Sequence, residues 1–381
     1  MSEQYDFIIA GFGLSGMTLT YEMSKLSGFE KKKVLVIDAD KKETNDRTWS
    51  FWSKEQSEYE ALATKSWQGC YFYTNQDEEL DLDLGDYRYY TVRAIDFYGY
   101  IKEKLQAFDN ITFHEGIIKQ VHDSGAVELE DQSFIGKTVF KSFFNRENLH
   151  TTLGDNILWQ HFKGWIIETD QPRFDESTFT LMDYRQSDED LINFFYVLPF
   201  SGNRALIEFT EFSKEFYSQE EYDAKIENYL NEVLKIEEYR IVEKEYNAIP
   251  MTAHRPKPAK GRVVDMGTIA GHVKPSSGYA FTRILASSQD MALKAMSNEL
   301  HNSGKNPFIF KLMDRTLLTI FNNYPDQGKA FYFSLFKKIK AFKIFKFLDE
   351  KSSWVELFHI HNSVDNKHLF MKAFFKSMLA K

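Results

Sequence analysis

The chain has 381 residues, of which 43% are hydrophobic, so it can bury a large core shared by two connected lobes. Its net charge of −9 argues against general nucleic-acid binding, and its single cysteine, Cys70, excludes an internal disulfide and any multi-cysteine metal site. We find no signal-peptide pattern and no apolar run of about 18 residues, so we expect an intracellular protein without a membrane span. The ten histidines lack metal-ligand spacing, and we expect no metal site.

Residues 7–16 predict a turn that binds a dinucleotide. The apolar run at 7–10 is typical of a strand buried on both faces of a parallel sheet. Gly11, Gly13 and Gly16 follow it in the pattern G-x-G-x-x-G. The first glycine permits a tight turn, the second lets the backbone approach a pyrophosphate, and the third lets the helix pack closely on the strand.

Five further residues are predicted to contact the same cofactor. A helix that begins near Leu14 and Ser15 would direct its free N–H groups towards the phosphates. Asp38 ends the second strand, where an acid can accept hydrogen bonds from ribose hydroxyls. Arg47, just downstream of this acid, and Ile118 complete the set. The alternative interpretation, a glycine-tolerant surface turn, leaves Asp38 unexplained.

Residues 47–52, which read Arg-Thr-Trp-Ser-Phe-Trp, form an unusual aromatic cluster close to the predicted ribose acid. Trp49 and Trp52 are predicted to wall a pocket for a flat or apolar ligand, although both are equally compatible with a place in the core. Strands are then predicted within 70–93 and a helix over 95–108. A hairpin is predicted from 113–121 and 126–129, followed by a sheet strand over 137–144.

The middle of the chain, from about residue 156 to 250, alternates apolar and polar residues and predicts an antiparallel sheet as a substrate lobe. Its strands carry the candidate acids Asp183 and Glu208 and the candidate substrate contacts Phe195 and Tyr196. Spacing alone favours an outward-facing acid in an alternating strand, so it assigns Glu208 no chemical role. A charged helix is predicted over 219–234.

The chain then returns to the first lobe through a predicted strand at 260–267 and a second glycine-rich loop. Glycines in this loop permit close backbone approach to a ligand, which is expected only if the cofactor is as long as FAD. The predicted contacts are Gly267, Gly271, Pro275, Gly278 and Tyr279. A loop with incidental glycines is the alternative. A helix over 280–296 follows.

Eight short motifs resemble those of bacterial lycopene β-cyclases. In chain order they are residues 11–16, 47–52, 160–165, 181–185, 196–201, 206–210, 249–251 and 271–279. The resemblance runs to about residue 290 and leaves the last ninety residues without an assigned motif. Thr268 departs from related FAD monooxygenases, which carry Asp there, so a side-chain bond to the ribityl chain is in doubt at this position.

The resemblance implies an enzyme that folds the linear ends of lycopene into β-ionone rings, giving β-carotene through γ-carotene. It implies a bound FAD that must be reduced, although the reaction has no net redox change. NAD(P)H would be the indirect electron source, acting through an electron-donating reductase. Glu208 falls on the family's catalytic acid in the motif Leu-Ile-Glu-Phe-Thr.

The predicted fold class is α/β. We expect a Rossmann-like FAD-binding domain of the two-dinucleotide-fold type, an inserted antiparallel β-sheet lobe and a helical C-terminal region. The predicted divisions are 1–155 and 251–300 for the FAD-binding domain, 156–250 for the substrate lobe and 301–381 for the C-terminal region.

Ring closure would begin with protonation of an alkene, which is a very weak base. Glu208 lies between apolar residues, so burial could raise its pKa by up to roughly 3–5 units and keep the carboxyl protonated at neutral pH. The same carboxylate could later remove a proton. The faces of Trp49, Trp52, Phe195 and Tyr196 could stabilise a passing cation.

The C-terminal tail, residues 329–381, contains eleven Lys, no Arg and four acidic residues. Within 331–347, a helix would align Phe331, Leu335, Ile339, Phe342 and Phe345 in one stripe flanked by lysines, which is typical of a helix in an anionic membrane interface. A buried helix is the alternative. We expect peripheral contact with the cytoplasmic face of a membrane, where an apolar substrate would be dissolved.

Two other functions fit parts of the sequence. One is an FAD-dependent monooxygenase or prenyl reductase acting on an apolar substrate, which would consume NAD(P)H or oxygen stoichiometrically. The other is a noncatalytic carotenoid- or lipid-binding protein that retains a nucleotide fold.

Overall fold

The computed structural model describes residues 4–143, 157–253, 261–297, 299 and 308–379. Its strands in chain order are β1 (Gln4–Ala10), β2 (Val34–Asp38), β3 (Thr48–Ser53), β4 (Lys65–Trp67), β5 (Gly69–Tyr73), β6 (Glu79–Asp81), β7 (Arg88–Arg93), β8 (Ile111–Glu115), β9 (Gln120–Val121), β10 (Ala126–Glu128), β11 (Ser133–Lys141), β12 (Leu158–Glu168), β13 (Thr178–Asp183), β14 (Ile192–Ser201), β15 (Arg204–Ser213), β16 (Arg240–Met251) and β17 (Val263–Asp265). Its helices are α1 (Leu14–Ser24), α2 (Ala94–Leu105), α3 (Gln219–Glu232), α4 (Phe281–Met296), α5 (Phe308–Asn323), α6 (Pro325–Lys338), α7 (Ala341–Leu348), α8 (Trp354–Ser363) and α9 (Lys367–Leu379).

The first sheet has the order β8-β2-β1-β11-β10-β9, and β17 pairs with β11. Strands β8, β2, β1, β11 and β17 run parallel, while β9 and β10 form an antiparallel excursion. The apolar run of β1 is buried on both faces, as expected for a parallel strand covered by helices. Because β17 returns beside β11, the late glycine loop reaches the same edge as the first one.

Helix α1 lies between this sheet and α4, and the side chains from Leu14 to Met23 are buried around its whole circumference. A helix that is apolar all round belongs in the interior. Met17 and Leu19 pack in one core with Phe140 and Met291, which fixes the position of the glycine turn at the N-terminus of α1.

The second sheet has the order β16-β12-β15-β14-β13-β5-β6. Strands β12 to β16 pair in antiparallel fashion, whereas β13 and β5 are parallel. Strands β5 and β6 come from the part of the chain before residue 155, so that predicted division does not coincide with the edge of this sheet. Strands β3, β7 and β4 form a small antiparallel sheet of their own.

Alternation along the second sheet separates a helix-covered face from a cavity face. Phe195 faces α3, where its ring stacks on Tyr229 at 3.9 Å between centroids. Its neighbour Tyr196 points the other way and lines a cavity. The same rule directs Ile207 into the core under α3 and Glu208 into the cavity.

The C-terminal helices cover much of the cavity face of this sheet. Phe331, Leu335 and Phe345 are buried against it, and Phe336 packs on Phe72 at 4.8 Å between ring centroids. The predicted membrane stripe is therefore wrong, because these residues belong to the protein core and because the helix ends at Lys338 before α7 begins. None of the helices in the described ranges is long and apolar enough to cross a bilayer.

The predicted hairpin over 113–121 and 126–129 is also wrong in part. Strand β8 ends at Glu115 and pairs in parallel with β2, and only the short β9 pairs with β10. The predicted strand over 137–144 corresponds to β11, and Phe144 lies outside the described residues.

Candidate active site

The first glycine loop has the close contacts that a dinucleotide turn requires. Gly11 has a φ of +100°, and a Cβ atom there would lie 2.4 Å from Ser142 Oγ. A Cβ on Gly16 would lie 2.1 Å from the Gly11 carbonyl oxygen, so only glycine lets α1 approach β1 this closely. At Gly13 a Cβ would meet no atom within 4 Å, so the protein's own packing does not demand glycine there. This position opens into the cavity and leaves room for a ligand against the backbone.

The N-terminus of α1 presents N–H groups without a side-chain cap, as an anion site needs. Asp38, the predicted ribose acid, accepts a hydrogen bond from the Phe12 N–H at 2.5 Å and lies 3.3 Å from the Lys42 ammonium group. The carboxylate thus ties the end of β2 to the glycine turn.

The second glycine loop packs directly on the first. Gly267 has a φ of +67°, and a Cβ there would lie 2.4 Å from Ser15 Oγ. Gly278 has a φ of +72°, and a Cβ there would lie 2.0 Å from Gln160 Oε1 on the second sheet. The second glycine loop therefore contacts the first loop at Gly267 and the second sheet at Gly278, and glycine is sterically required at both positions.

A buried ion cluster holds this second loop. The Lys274 ammonium group lies 3.0 Å from a carboxylate oxygen of Asp314 on α5 and 3.0 Å from one of Glu350, after α7. Ser276 donates to Asp314 at 2.6 Å, and Arg283 on α4 donates to Glu350 at 2.9 Å. These bonds fasten the loop to the C-terminal helices.

A cavity of about 300 Å³ lies where both loops meet the second sheet. It brings together four kinds of predicted residue: phosphate-loop residues, Arg47, aromatic residues and the acid Glu208. Its lining includes Gly13, Leu14, Ser15, Arg47, Thr48, Trp49, Tyr89, Gln160, Phe162, Tyr196, Leu198, Leu206, Glu208, Glu245, Asn247, Thr268, Gly278, Tyr279 and Phe281.

Two glutamates share this cavity. Glu208 on β15 and Glu245 on β16 are both in register with Gly164 on the intervening strand β12. Thr210 donates to Glu208 at 3.0 Å, and Thr48 donates to Oε2 of Glu245 at 2.8 Å. The two carboxyl groups are hydrogen-bonded to each other across the glycine.

This arrangement keeps a proton in the cavity. Burial first, and then the neighbouring Glu245 carboxyl, raise the pKa of Glu208 well above the usual range of a glutamate. Burial also raises the pKa of Glu245. Among the described residues, no hydroxyl or N–H group donates to Oε1 of Glu245. A proton on Glu208 supplies that missing donor, because two carboxylates so close together cannot both ionise easily.

The sequence matches the family described as "Lycopene cyclase protein" over residues 6–377. The chain belongs to the lycopene cyclase family. It is 25% identical over 321 residues to a lycopene beta cyclase of Capsicum annuum, which covers 78% of this chain and 62% of that protein. It is 26% identical over 306 residues to one of Nicotiana tabacum, covering 75% and 59%. The chain thus spans about three fifths of the length of these plant relatives.

The fold of the chain is similar to the folds of several proteins with solved structures. A geranylgeranyl bacteriochlorophyll reductase-like protein from Thermoplasma acidophilum superimposes with a TM-score of 0.62 at 12% identity, over 98% of this chain and 99% of that one. A flavoprotein/dehydrogenase from Cytophaga hutchinsonii gives a TM-score of 0.63 at 12% identity, over 98% and 100%. The predicted fold class, α/β with a Rossmann-like domain, a β-sheet lobe and a helical C-terminal region, is confirmed.

Several predicted site residues of this lycopene cyclase family member do not line the cavity. Asp183 is buried elsewhere, where Tyr229 donates to it at 2.7 Å and the Arg185 guanidinium forms an ion pair with it at 2.5 Å. That bonding is structural, so Asp183 is not brought to Glu208. Phe195 faces α3, as described above, and so lies away from the position predicted for a substrate contact.

Four other predicted residues also lie outside the lining of the cavity. Trp52 stacks on Phe345 at 4.5 Å and packs edge-on against the cavity residue Tyr279 at 4.4 Å. Gly271 has a φ of +74° and ends the turn of the second loop, of which Pro275 is also part. Ile118 packs against the core on the far side of the first sheet.

Sequence reasoning missed two residues of this site. Glu245 stands five residues before Pro250 in a strand of mixed charge, and only the pairing of β12 with both neighbours brings it to Glu208. Lys274 was inside a recognised motif, but its burial beneath α5 has no local signal. A lysine between two glycines of a ligand loop could have drawn attention to it.

Proposed function

We propose that this chain is a flavin-dependent lycopene β-cyclase that forms β-ionone rings without net redox change. The observation that carries the proposal is the hydrogen-bonded pair Glu208 and Glu245, which faces a partly apolar cavity beside a dinucleotide turn. Membership of the lycopene cyclase family supports the substrate class, lycopene and γ-carotene. The activity requires a carboxyl group that stays protonated where water is scarce, and this buried pair fits that requirement.

The residues around the two glycine loops fit FAD. The uncapped N-terminus of α1 would hold the pyrophosphate, with Asp38 near the ribose, and the loop at Gly278 and Tyr279 would contact the far end. Reduced FAD, when bound, supplies negative charge that stabilises a nearby carbocation. We propose NAD(P)H as the ultimate electron source, delivered by a separate reductase.

Glu208 is the proposed catalytic acid. Its carboxyl proton passes to the terminal alkene of the substrate, and the resulting cation closes the ring by attack of a neighbouring double bond. The Glu208 carboxylate, or Glu245 through it, then takes up a proton from the ring carbon next to the cation, which leaves the ring double bond. One proton enters and one leaves, so the product is an isomer of the substrate.

Three neighbouring groups make this transfer easier. Thr210 and Glu245 hold the Glu208 carboxyl in one orientation through their hydrogen bonds. The rings of Trp49 and Tyr196 line the cavity, and each aromatic face could stabilise a cation by about 0.5–2 kcal/mol. Burial raises the pKa of Tyr196, which therefore stays neutral beside the acid.

We also propose that the protein contacts the cytoplasmic face of a membrane through α8 and α9, instead of through the stripe expected from the sequence. Trp354, Val355 and Phe358 on α8 are 74%, 65% and 64% exposed. Phe375 and Leu379 extend this apolar surface on α9. Three lysines on α9, Lys367, Lys372 and Lys376, would interact with anionic headgroups.

Expression in a lycopene-accumulating bacterium tests the function. We expect the red pigment to be converted to β-carotene, with monocyclic γ-carotene as an intermediate, and the purified protein to contain FAD. Unchanged lycopene in cells that contain the folded flavoprotein would contradict the proposal. A hydrogenated or oxygenated product, formed with stoichiometric consumption of NAD(P)H or oxygen, would instead indicate a prenyl reductase or monooxygenase.

A further inference from the structure

Three hollow spaces lie in a row between Glu208 and the surface of the C-terminal helices. The cavity at Glu208 adjoins a narrow one of about 40 Å³, and the two share Tyr196, Ser277 and Tyr279 as a wall. The narrow cavity in turn adjoins a groove of about 360 Å³ that is formed by α5, α8 and α9.

The wall between the narrow cavity and the groove is also one side chain thick. It consists of Leu317, Phe331 and Phe347, which line both spaces. Phe331 stacks on Phe370 at 5.5 Å, and Phe347 contacts Phe310 at 6.1 Å. Phenyl rings form no hydrogen bonds or ion pairs, so both can rotate without breaking one, although the Lys274 ammonium group lies 5.8 Å from the centroid of the Phe347 ring.

The groove and the narrow cavity have a consistent chemistry. No Asp, Glu, Lys or Arg is present among the described residues that line either space. Trp354 and Phe358 border the groove and are among the most exposed aromatic residues of the described chain. The acid is therefore reached from the surface through surroundings that suit a hydrocarbon and exclude ions.

We propose that the groove binds the hydrocarbon chain of a long linear polyene while one end of that polyene lies at Glu208. This inference rests on the proposed function and deepens it by assigning the rest of the substrate to a site. The continuity of the groove with the acid's cavity is the reason to choose the substrate as its occupant. A separate lipid or protein partner would have no need of the inner two spaces.

The narrow cavity is the constriction through which a substrate would pass from the groove to Glu208. A space of about 40 Å³ holds roughly one water molecule, so an entering chain must move Phe331 and Phe347 aside. The slender open end of a polyene passes such a constriction once these two side chains have moved. The ring formed at Glu208 must leave by the same path, so Phe331 and Phe347 must move aside again before the molecule can turn round and present its second end.

A covalent plug in the groove tests the proposal on the intact FAD-loaded protein. The native Cys70 is buried, so a cysteine introduced at the surface reacts selectively with a bulky aromatic maleimide. Met371→Cys places the label in the groove, and Lys372→Cys places it on the exposed side of the same helix as a matched control. The readouts are ring formation from lycopene and the rate of labelling in the presence of parinaric acid, a linear polyene.

We expect the label on the Met371→Cys variant to lower ring formation at least tenfold, while the labelled Lys372→Cys variant keeps its rate and both keep FAD. We also expect parinaric acid to slow labelling of the Met371→Cys variant severalfold and to leave the control unchanged. Undiminished ring formation in the plugged variant would overturn the proposal while leaving the cyclase function intact.

Failure of the function itself gives a different pattern. If the unlabelled protein forms no rings, the labelling rates alone decide. Protection of the Met371→Cys variant by parinaric acid would then still support a polyene site, and equal labelling rates with and without the polyene would overturn it.

Discussion

Glu208 and Glu245 meet above Gly164, which is in register with both of them on the strand between. A Cβ atom on Gly164 would lie 2.8 Å from Leu206 Cδ1 and 3.2 Å from Glu245 Cγ. The absence of a side chain at this one position is what allows two carboxyl groups from separate strands to share a hydrogen bond. In the proposed mechanism, the proton that starts ring closure would therefore be held by the geometry of the sheet.

The first prediction concerns this spacing. Gly164→Ala should lower the rate of ring formation at least tenfold, because the added methyl group displaces Glu245 or Leu206 and separates the two carboxyl groups. FAD content should remain normal, since neither glycine loop is altered. Initial rates at saturating lycopene measure the effect.

Gly202→Ala is the matched control, because a Cβ at Gly202 would lie 3.4 Å from Pro172 Cβ and 3.8 Å from the Phe174 carbonyl oxygen, both ordinary contact distances. Equal activity of Gly164→Ala and Gly202→Ala would show that the close approach of the two glutamates is not needed.

A second prediction concerns pH. The acid must be protonated to act, so activity should fall as pH rises through the raised pKa of Glu208. Glu245→Gln removes one of the causes that raise this pKa, so the alkaline limb of the rate profile should move to lower pH. Burial, the largest cause, remains. The measurement is the pH dependence of kcat.

Glu238→Gln serves as control, since Glu238 is an exposed residue just before β16. If the pH dependence of kcat for Glu245→Gln coincides with those of the control and the parent protein, the two carboxyl groups are not coupled.

The sequence predicted the local parts of this site well. The turn, helix and strand around Gly11–Gly16 follow from short-range rules, and the close approach of Gly16 to the Gly11 carbonyl oxygen arises within that unit. Resemblance to a family, not spacing, selected Glu208. Alternation puts the neighbours Phe195 and Tyr196 on opposite faces of the middle sheet, so they could not both be substrate contacts, but no local pattern says which face α3 covers.

The errors have a common physical origin in long-range packing. The stripe from Phe331 to Phe345 has a helical period, and a helix with that period fits a membrane or a core equally well. In this protein the stripe packs against the second sheet and forms part of the core beneath it. Similarly, strand-forming residues at 113–115 cannot reveal that their partner is the parallel β2. Glu245 was not predicted, because no local sequence pattern specifies the order of strands in a sheet.

A third prediction concerns the ion cluster beneath the second loop. Lys274 is 0% and Asp314 1% exposed, so Lys274→Met would leave a buried carboxylate without its cation. Removal of one partner of a buried pair typically lowers the free energy of unfolding by about 3–5 kcal/mol. Urea unfolding followed by fluorescence gives the value.

Lys337→Met provides the comparison, because Lys337 forms an exposed ion pair with Glu78 at 2.7 Å. Its loss should change the unfolding free energy by less than about 1 kcal/mol. Similar values for the two variants would mean that the Lys274 cluster does not anchor the loop.

The fourth prediction tests the membrane surface. The double variant Val355→Glu with Phe375→Glu should bind vesicles of anionic phospholipid at least fivefold more weakly than the parent, because both side chains are exposed and apolar. Vesicle flotation measures the bound fraction. Ile117→Glu alters a similarly exposed apolar residue in the loop between β8 and β9 and should bind like the parent. If the double variant also floats like the parent, α8 and α9 are not the contact.

Ring formation in heavy water, compared between the parent protein and Glu208→Gln, tests the central claim most directly. A carboxyl proton that exchanges with solvent should appear in the product, so mass spectrometry should find one deuterium in each ring formed by the FAD-loaded parent protein. Glu208→Gln should retain FAD and form no rings. Unlabelled rings from the parent, or rings formed at the parent rate by Glu208→Gln, would contradict proton transfer from Glu208.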